Sequence, residues 1–267
     1  MLHSGWVSKD KGRAMMRFFL ALIILIVTFG LCTSCTQQDE KERLRRETEE
    51  KEYSILRNNM VEKQIISRGI QEPRVLKAMR KVPRHLFVPE SYRKFSYSDR
   101  PLAIGYGQFI SRPYIIALMT DALGLEGGER ALEIGTGSGY QSAILAEIVK
   151  EVYSIEIIED LARQAKQKLD KLGYENIHIK VADGYHGWTE FAPFDDILVT
   201  AAPDHIPLPL LEQLRVGGKM IIPVGELFQE LILLTRTPEG YQEQRIIPVK
   251  FEPMTGEAEK KTVPPPG

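Results

Sequence analysis

The stretch ALEIGTGSGYQ, Ala131 to Gln141, constrains this chain more than any other. An apolar run ends in three glycines at alternate positions and continues into SAILAEIVK, so the chain passes from strand through a tight turn into a helix. The pattern around it repeats the alternation. It predicts strands at 130–134, 151–155, 177–181, 196–200 and 219–223, and helices at 141–149, 160–172 and 208–214. Further helices are expected at 55–68, 73–81 and 113–123, the last two opening on proline, which suits a first helical turn. Strands interleaved with helices imply βαβ units, hence an α/β fold with a Rossmann-like, doubly wound, mostly parallel sheet and N-terminal helices.

In such sheets a ligand sits beyond the carboxyl ends of the strands, at the switch point of the strand order. The spacing here is G-x-G-x-G, at Gly135, Gly137 and Gly139, and Tyr140 stands where the dinucleotide fingerprint needs a third glycine. That departure argues against a nicotinamide or flavin. Glu133, just ahead of the turn, would repel a pyrophosphate and welcome a cationic amino-acid group. Glu156 closes the second strand, where a carboxylate can accept from both hydroxyls of a ribose. Asp183 follows the third strand, with Gly184 beside it, and is placed to accept from the exocyclic amine of adenine. Three carboxylates and no pyrophosphate cradle describe a nucleoside with cationic groups, and S-adenosyl-L-methionine fits.

Six blocks in order carry a closer likeness: VPRHLFVPE (Val82 to Glu90), PLAIGYGQFISRPYIIALM (Pro101 to Met119), the glycine turn, FDDILVTAAPDHIP (Phe194 to Pro207), GGKMIIPVG (Gly217 to Gly225) and VKFEPMTG (Val249 to Gly256). On these blocks, from about residue 58 to 255, the chain resembles the protein-L-isoaspartate O-methyltransferases, which repair isomerised aspartyl residues. The resemblance implies that Ser111, in GQFISRP, is the catalytic residue and that Phe109 and Ile110 lie along the cofactor. Relatives commonly carry Thr where this chain has Phe109. The resemblance also implies that the backbone of Val199, Thr200, Ala201 and Ala202, with Ser111, grips the substrate peptide, and that isoaspartyl proteins and peptides are the partners. Ser111 could also cap the helix that opens at Pro113. His85 and His205 are read as packing or loop residues, and no metal ligand set is apparent.

Composition narrows the field further. Lys plus Arg number 35 against 36 Asp plus Glu, a net charge of −1 with no basic stripe, which argues against a nucleic-acid partner. The only cysteines are Cys32 and Cys35; no βαβ pattern surrounds their C-x-x-C spacing, so a redox pair is not expected. Residues 1–36 read as a signal peptide or membrane anchor: Lys9, Lys11, Arg13 and Arg17, then FFLALIILIVTFGLC (Phe18 to Cys32), then a small-residue exit. The ending LCTSC resembles a lipoprotein processing site with Cys35 lipidated. Residues 37–53 form a charged tether or solvated helix, 54–256 the methyltransferase domain, and 257–267 a flexible tail. Export or envelope anchoring of a monomer is the expectation; a cytoplasmic enzyme translated from Met15 or Met16 is the alternative. Two other readings stay open, a methyltransferase of a small molecule or RNA, and a lipoprotein that uses the fold only for binding.

Overall fold

A computed structural model describes residues 7–259, with the side chains of 7–12, 14 and 21–39 outside the description. The Cys35 side chain and the Thr262 to Gly267 stretch therefore lie outside the described residues. The chain divides into two units, Met1–Glu52 and Tyr53–Gly267.

From Val7 on, the first unit is helical, within α1 (Val7–Met60). Its charged stretch takes the solvated-helix form, with exposed one-turn pairs Arg43–Glu47 at 3.6 Å and Arg46–Glu42 at 3.2 Å. Such pairs contribute only about 0.3–0.5 kcal/mol each. Among the described residues no helix is long and apolar enough to cross a membrane.

In the second unit, α1 loosens at its end into a π turn (Val61–Ile65) and a 3-10 turn (Ile66–Arg68), which Gly69 closes in the left-handed conformation. Next come α2 (Pro73–Lys81), a hairpin of β1 (Leu102–Gly105) and β2 (Gln108–Ile110), and α3 (Pro113–Leu123). The alternating body follows: β3 (Arg130–Ile134), α4 (Tyr140–Ala146), β4 (Glu151–Glu156), α5 (Glu159–Lys171), β5 (Ile177–Val181), β6 (Phe194–Val199), α6 (Leu208–Glu212) and β7 (Leu214–Val224). The expected strands and helices recur within a few residues. The exception is β7, which starts at Leu214, where a helix was expected, and absorbs the Lys219 strand. The sequence pattern missed the β1–β2 hairpin, β8 (Gln229–Thr237) and β9 (Gly240–Val249).

The sheet order is β5-β4-β3-β6-β7-β8-β9. Pairings from β5 through β7 are parallel, and β8 and β9 add antiparallel. Because β3 leads to β4 and β5 on one side while β6 lies on the other, the strand order reverses at the β3–β6 seam. A parallel sheet covered on both faces sends alternate residues into two cores. Ala131 and Leu198 face one with α3 and α4, while Leu132, Ile134, Ile197 and Val199 face the other. α5 buries Leu161, Ala162, Ala165 and Leu169, one stripe of a 3.6-residue period. At the C-terminus, Gly256–Glu259 form a 3-10 turn with Ala258 buried in the second core. The expectation that the tail begins at residue 257 is corrected there, since Glu257 is hydrogen-bonded to Asp183 and Ala258 is buried.

Candidate active site

At the β3–β6 seam the two strands diverge over a cleft of about 820 Å³, counting its open mouth. Its floor is the glycine turn. Gly135 has φ +94°, and a Cβ there would stand 2.3 Å from Thr200 Oγ1, so only glycine lets the turn leave β3 this close to β6. Thr200 locks the seam, its amide donating to Ile134 O at 2.9 Å and its hydroxyl reaching Ile134 O and Gly135 O at 2.9 and 2.8 Å. At the tip, Gly137 (φ +53°) donates its amide to Glu156 Oε2 at 2.7 Å. The other oxygen of Glu156 accepts from Ile158 N at 3.0 Å. The carboxylate at the end of β4 is thus oriented at the cleft wall, while Gly139 caps α4 behind the turn.

The hairpin β1–β2 and the residue after it supply a second wall: Phe109, Ile110 and Ser111 all line the cleft, Ile110 buried and Phe109 48% exposed. α3 is capped by Arg112 with no side-chain capping bond, so the Ser111 hydroxyl is not used as a helix cap. Its main chain is held from below. Arg84, wholly buried, donates from Nη2 to Ser111 O at 2.6 Å and from Nε to Ser96 O at 2.8 Å, its guanidinium 4.8 Å from the centre of the Tyr140 ring.

Four expectations need correction. Gly139 does not line the cleft; it packs close against Ala165 and Leu169 of α5. Glu133 does not face the cleft. It is 0% exposed beneath the turn, accepting from Ser154 Oγ at 2.6 Å and from Ser142 Oγ. Burial, only partly offset by those serines, pushes its carboxyl up to about 8, which favours the neutral form at neutral pH. Asp183 does not line the cleft either, although Gly184 does. Its Oδ1 accepts from Tyr185 N at 2.9 Å and its Oδ2 from Glu257 N at 2.7 Å, so it caps its own turn and pins the C-terminal segment. Of Val199 to Ala202 only Thr200 and Ala201 line the cleft. Val199 is buried in the sheet, and both backbone groups of Ala202 are taken, its amide by Glu252 O at 2.9 Å and its carbonyl by Met254 N at 2.8 Å. The histidines stay outside the chemistry. Buried His85 stacks on Tyr53 and is held by burial down to about 4, and His205 bonds Asp204 and Tyr185.

The family model "Protein-L-isoaspartate(D-aspartate) O-methyltransferase (PCMT)" matches residues 56–259, which span every wall of this cleft. The chain belongs to that family. A protein-L-isoaspartate O-methyltransferase of Picosynechococcus sp. is 56% identical over 201 residues, covering 75% of this chain and 90% of the relative. One from Opitutus terrae is 49% identical over 244 residues, 91% of this chain and 99% of the relative, a length that must run into the 1–52 unit. Among solved structures, a Plasmodium falciparum family member in complex with S-adenosyl-L-homocysteine superposes with a TM-score of 0.67 at 27% identity, covering 74% of this chain and 98% of that one.

A bound S-adenosyl compound is also what the cleft can hold. Gln141 lines it with Nε2 donating to Thr120 Oγ1 at 3.0 Å and Oε1 buried without a partner, an acceptor that a ligand ammonium would satisfy. Gln141, Arg84 and the cleft-lining Pro253 to Thr255 escape the sequence reading. The last segment sits inside a family block, VKFEPMTG, but its place in the wall depends on the distant pairing of Ala202 with Pro253.

Proposed function

We propose that this family member transfers the methyl group of S-adenosyl-L-methionine to the free carboxylate of L-isoaspartyl residues in damaged proteins and peptides. The observation that carries the reading is the Ser111 hairpin standing over the glycine turn at the strand-switch seam, beside Glu156. Glu156 would hold the ribose, Gly135, Gly137 and Gly184 would let the backbone approach, Ile110 and Phe109 would cover the cofactor, and Gln141 Oε1 would accept from the ammonium. The cofactor supplies a methyl group activated on a sulfonium.

The acceptor needs no general base, because an α-carboxylate with a pKa of about 4 is already ionised at neutral pH. What the protein must supply is alignment and a dry contact, a proximity effect worth about 7–11 kcal/mol at best. Ser111 donates its hydroxyl to orient the carboxylate, Thr200 and Ala201 form the floor beneath it, and Phe109 and Ile110 exclude water. The amide nitrogen of the following residue then attacks the methyl ester and expels methanol, closing a succinimide that water opens in part to normal aspartate. The test is methyl transfer from labelled cofactor to an isoaspartyl peptide and to its aspartyl twin; equal labelling of both, or of neither, would overturn the proposal.

We further propose that residues 1–36 export or anchor the enzyme, with 37–53 as its tether. Support comes from the basic flank, the apolar run and the small-residue exit. Fractionation with N-terminal sequencing tests it: a soluble cytoplasmic protein with the apolar run intact would end the export reading and leave the repair chemistry standing.

A further inference from the structure

The turn joining β7 to β8 presents two adjacent large apolar side chains almost wholly to solvent, Leu227 at 91% and Phe228 at 92% exposed. Single exposed apolar residues are ordinary, but two together at a hairpin tip form a candidate contact surface. The turn is held firmly. A Cβ on Gly225 (φ +129°) would stand 2.1 Å from Phe228 O, so the loop closes tightly. Gly225 N donates to Pro203 O at 2.9 Å. The Gln229 side chain brackets Phe251, donating to its carbonyl at 3.1 Å and accepting from its amide at 2.6 Å. Pro203 lies two residues from Ala201, and Phe251 two residues before Pro253, and both Ala201 and Pro253 line the cleft. The apolar tip is therefore fastened to two of the segments that wall the acceptor site.

We propose that Leu227 and Phe228 form an apolar lip that seats a hydrophobic side chain of the methyl-accepting polypeptide, a few residues from the methylated one. This rests on the repair reading above. Charge favours a polypeptide over an anionic membrane: Glu226 and Glu230 flank the tip, and no Lys or Arg occurs between Lys219 and Arg236. Two side chains are also far short of the roughly 800 Å² per partner that a stable dimer buries.

Two isoaspartyl peptides, identical except for Leu or Ser at one neighbouring position, provide the test. The wild-type enzyme should show a KM about tenfold lower for the Leu peptide, of the order expected when an apolar side chain leaves water. A double variant, Leu227→Ser with Phe228→Ser, should erase that preference while the melting temperature, the cofactor affinity and kcat on the Ser peptide stay unchanged. A wild type with no preference, or a double variant that keeps it, overturns the proposal. So does a variant that keeps the preference but loses binding to phosphatidylcholine vesicles or dissociates from a dimer, which would assign the tip to a membrane or to self-association. Failure of the wild type to prefer isoaspartyl over aspartyl peptides is a separate result and would sink the repair reading instead.

Discussion

Arg84 reaches through the protein interior to the carbonyl of Ser111, 2.6 Å from its Nη2, and so ties a buried cation to the backbone of the residue proposed to orient the substrate. Burial lowers its pKa from the ordinary arginine value, so the charge is kept at a cost that the Ser96 and Ser111 carbonyls and the Tyr140 ring offset. Arg84→Lys preserves the charge but cannot span both carbonyls with a planar fork. Losing one charge-assisted bond should destabilise the fold by about 1.5–3 kcal/mol. Turnover should fall more than cofactor affinity does, because the displaced residue is Ser111. Urea unfolding, together with separate kcat and cofactor titrations, checks this; equal losses in both functional readouts would make Arg84 purely structural.

Ser111→Ala should lower kcat by about 10- to 100-fold, the equivalent of one hydrogen bond to a charged acceptor, with cofactor affinity within about twofold of wild type. Steady-state kinetics against calorimetric cofactor binding separates the two. A variant with the wild-type rate would remove Ser111 from the chemistry.

Gly137→Val tests the turn. Its φ of +53° is costly for a β-branched residue, and a Cβ there meets Ile104 Cδ1 at 3.5 Å, so the larger side chain would press on the hairpin that carries Phe109 to Ser111. The expected result is a folded domain, less stable by about 1–2 kcal/mol, with cofactor binding lost in calorimetry. Unchanged affinity would place the cofactor elsewhere.

Glu133 gives the fold a pH dependence of definite sign. Its carboxyl is raised by burial from 4.5 to about 8, and Asp196, also raised chiefly by burial, reaches about 7. Across the window between the ordinary and the raised values, the folded state holds protons that the unfolded chain has released. Stability therefore falls as pH rises, by up to about 1.4 kcal/mol per pH unit for each group. Glu133→Gln keeps an acceptor for the serines and cannot ionise, so its unfolding midpoint should drop less than the wild type's between about pH 6 and pH 8. Parallel curves for the two proteins would mean that Glu133 is ionised in the fold.

Local sequence determined what local physics controls. The apolar runs and helical periods placed β3 through β6, α2, α3 and α5 to within two residues, since each is set by side chains close in the chain. The glycine turn and Glu156 were legible for the same reason, since a positive-φ turn and a strand-end carboxylate are properties of short stretches, whereas Ser111 was marked only by the resemblance to the family. Strands β8 and β9 were not, because an antiparallel addition beyond β7 has no helix between strands to announce it.

Only the tertiary structure decided which polar groups remain available to a ligand. Asp183 reads as a free carboxylate until Glu257, 74 residues on, donates its amide to it. Ala202 reads as open backbone until Glu252 and Met254 close on it, and Glu133 as a charge until the sheet and α4 bury it with Ser154 and Ser142. Arg84 and Gln141 enter the site from the opposite direction, as polar residues within apolar blocks whose partners lie 27 and 21 residues away in sequence. A donor or acceptor carries its chemistry in its own side chain, but whether that chemistry is already spent depends on what the fold brings against it. Those contacts form between segments that the sequence alone does not place together.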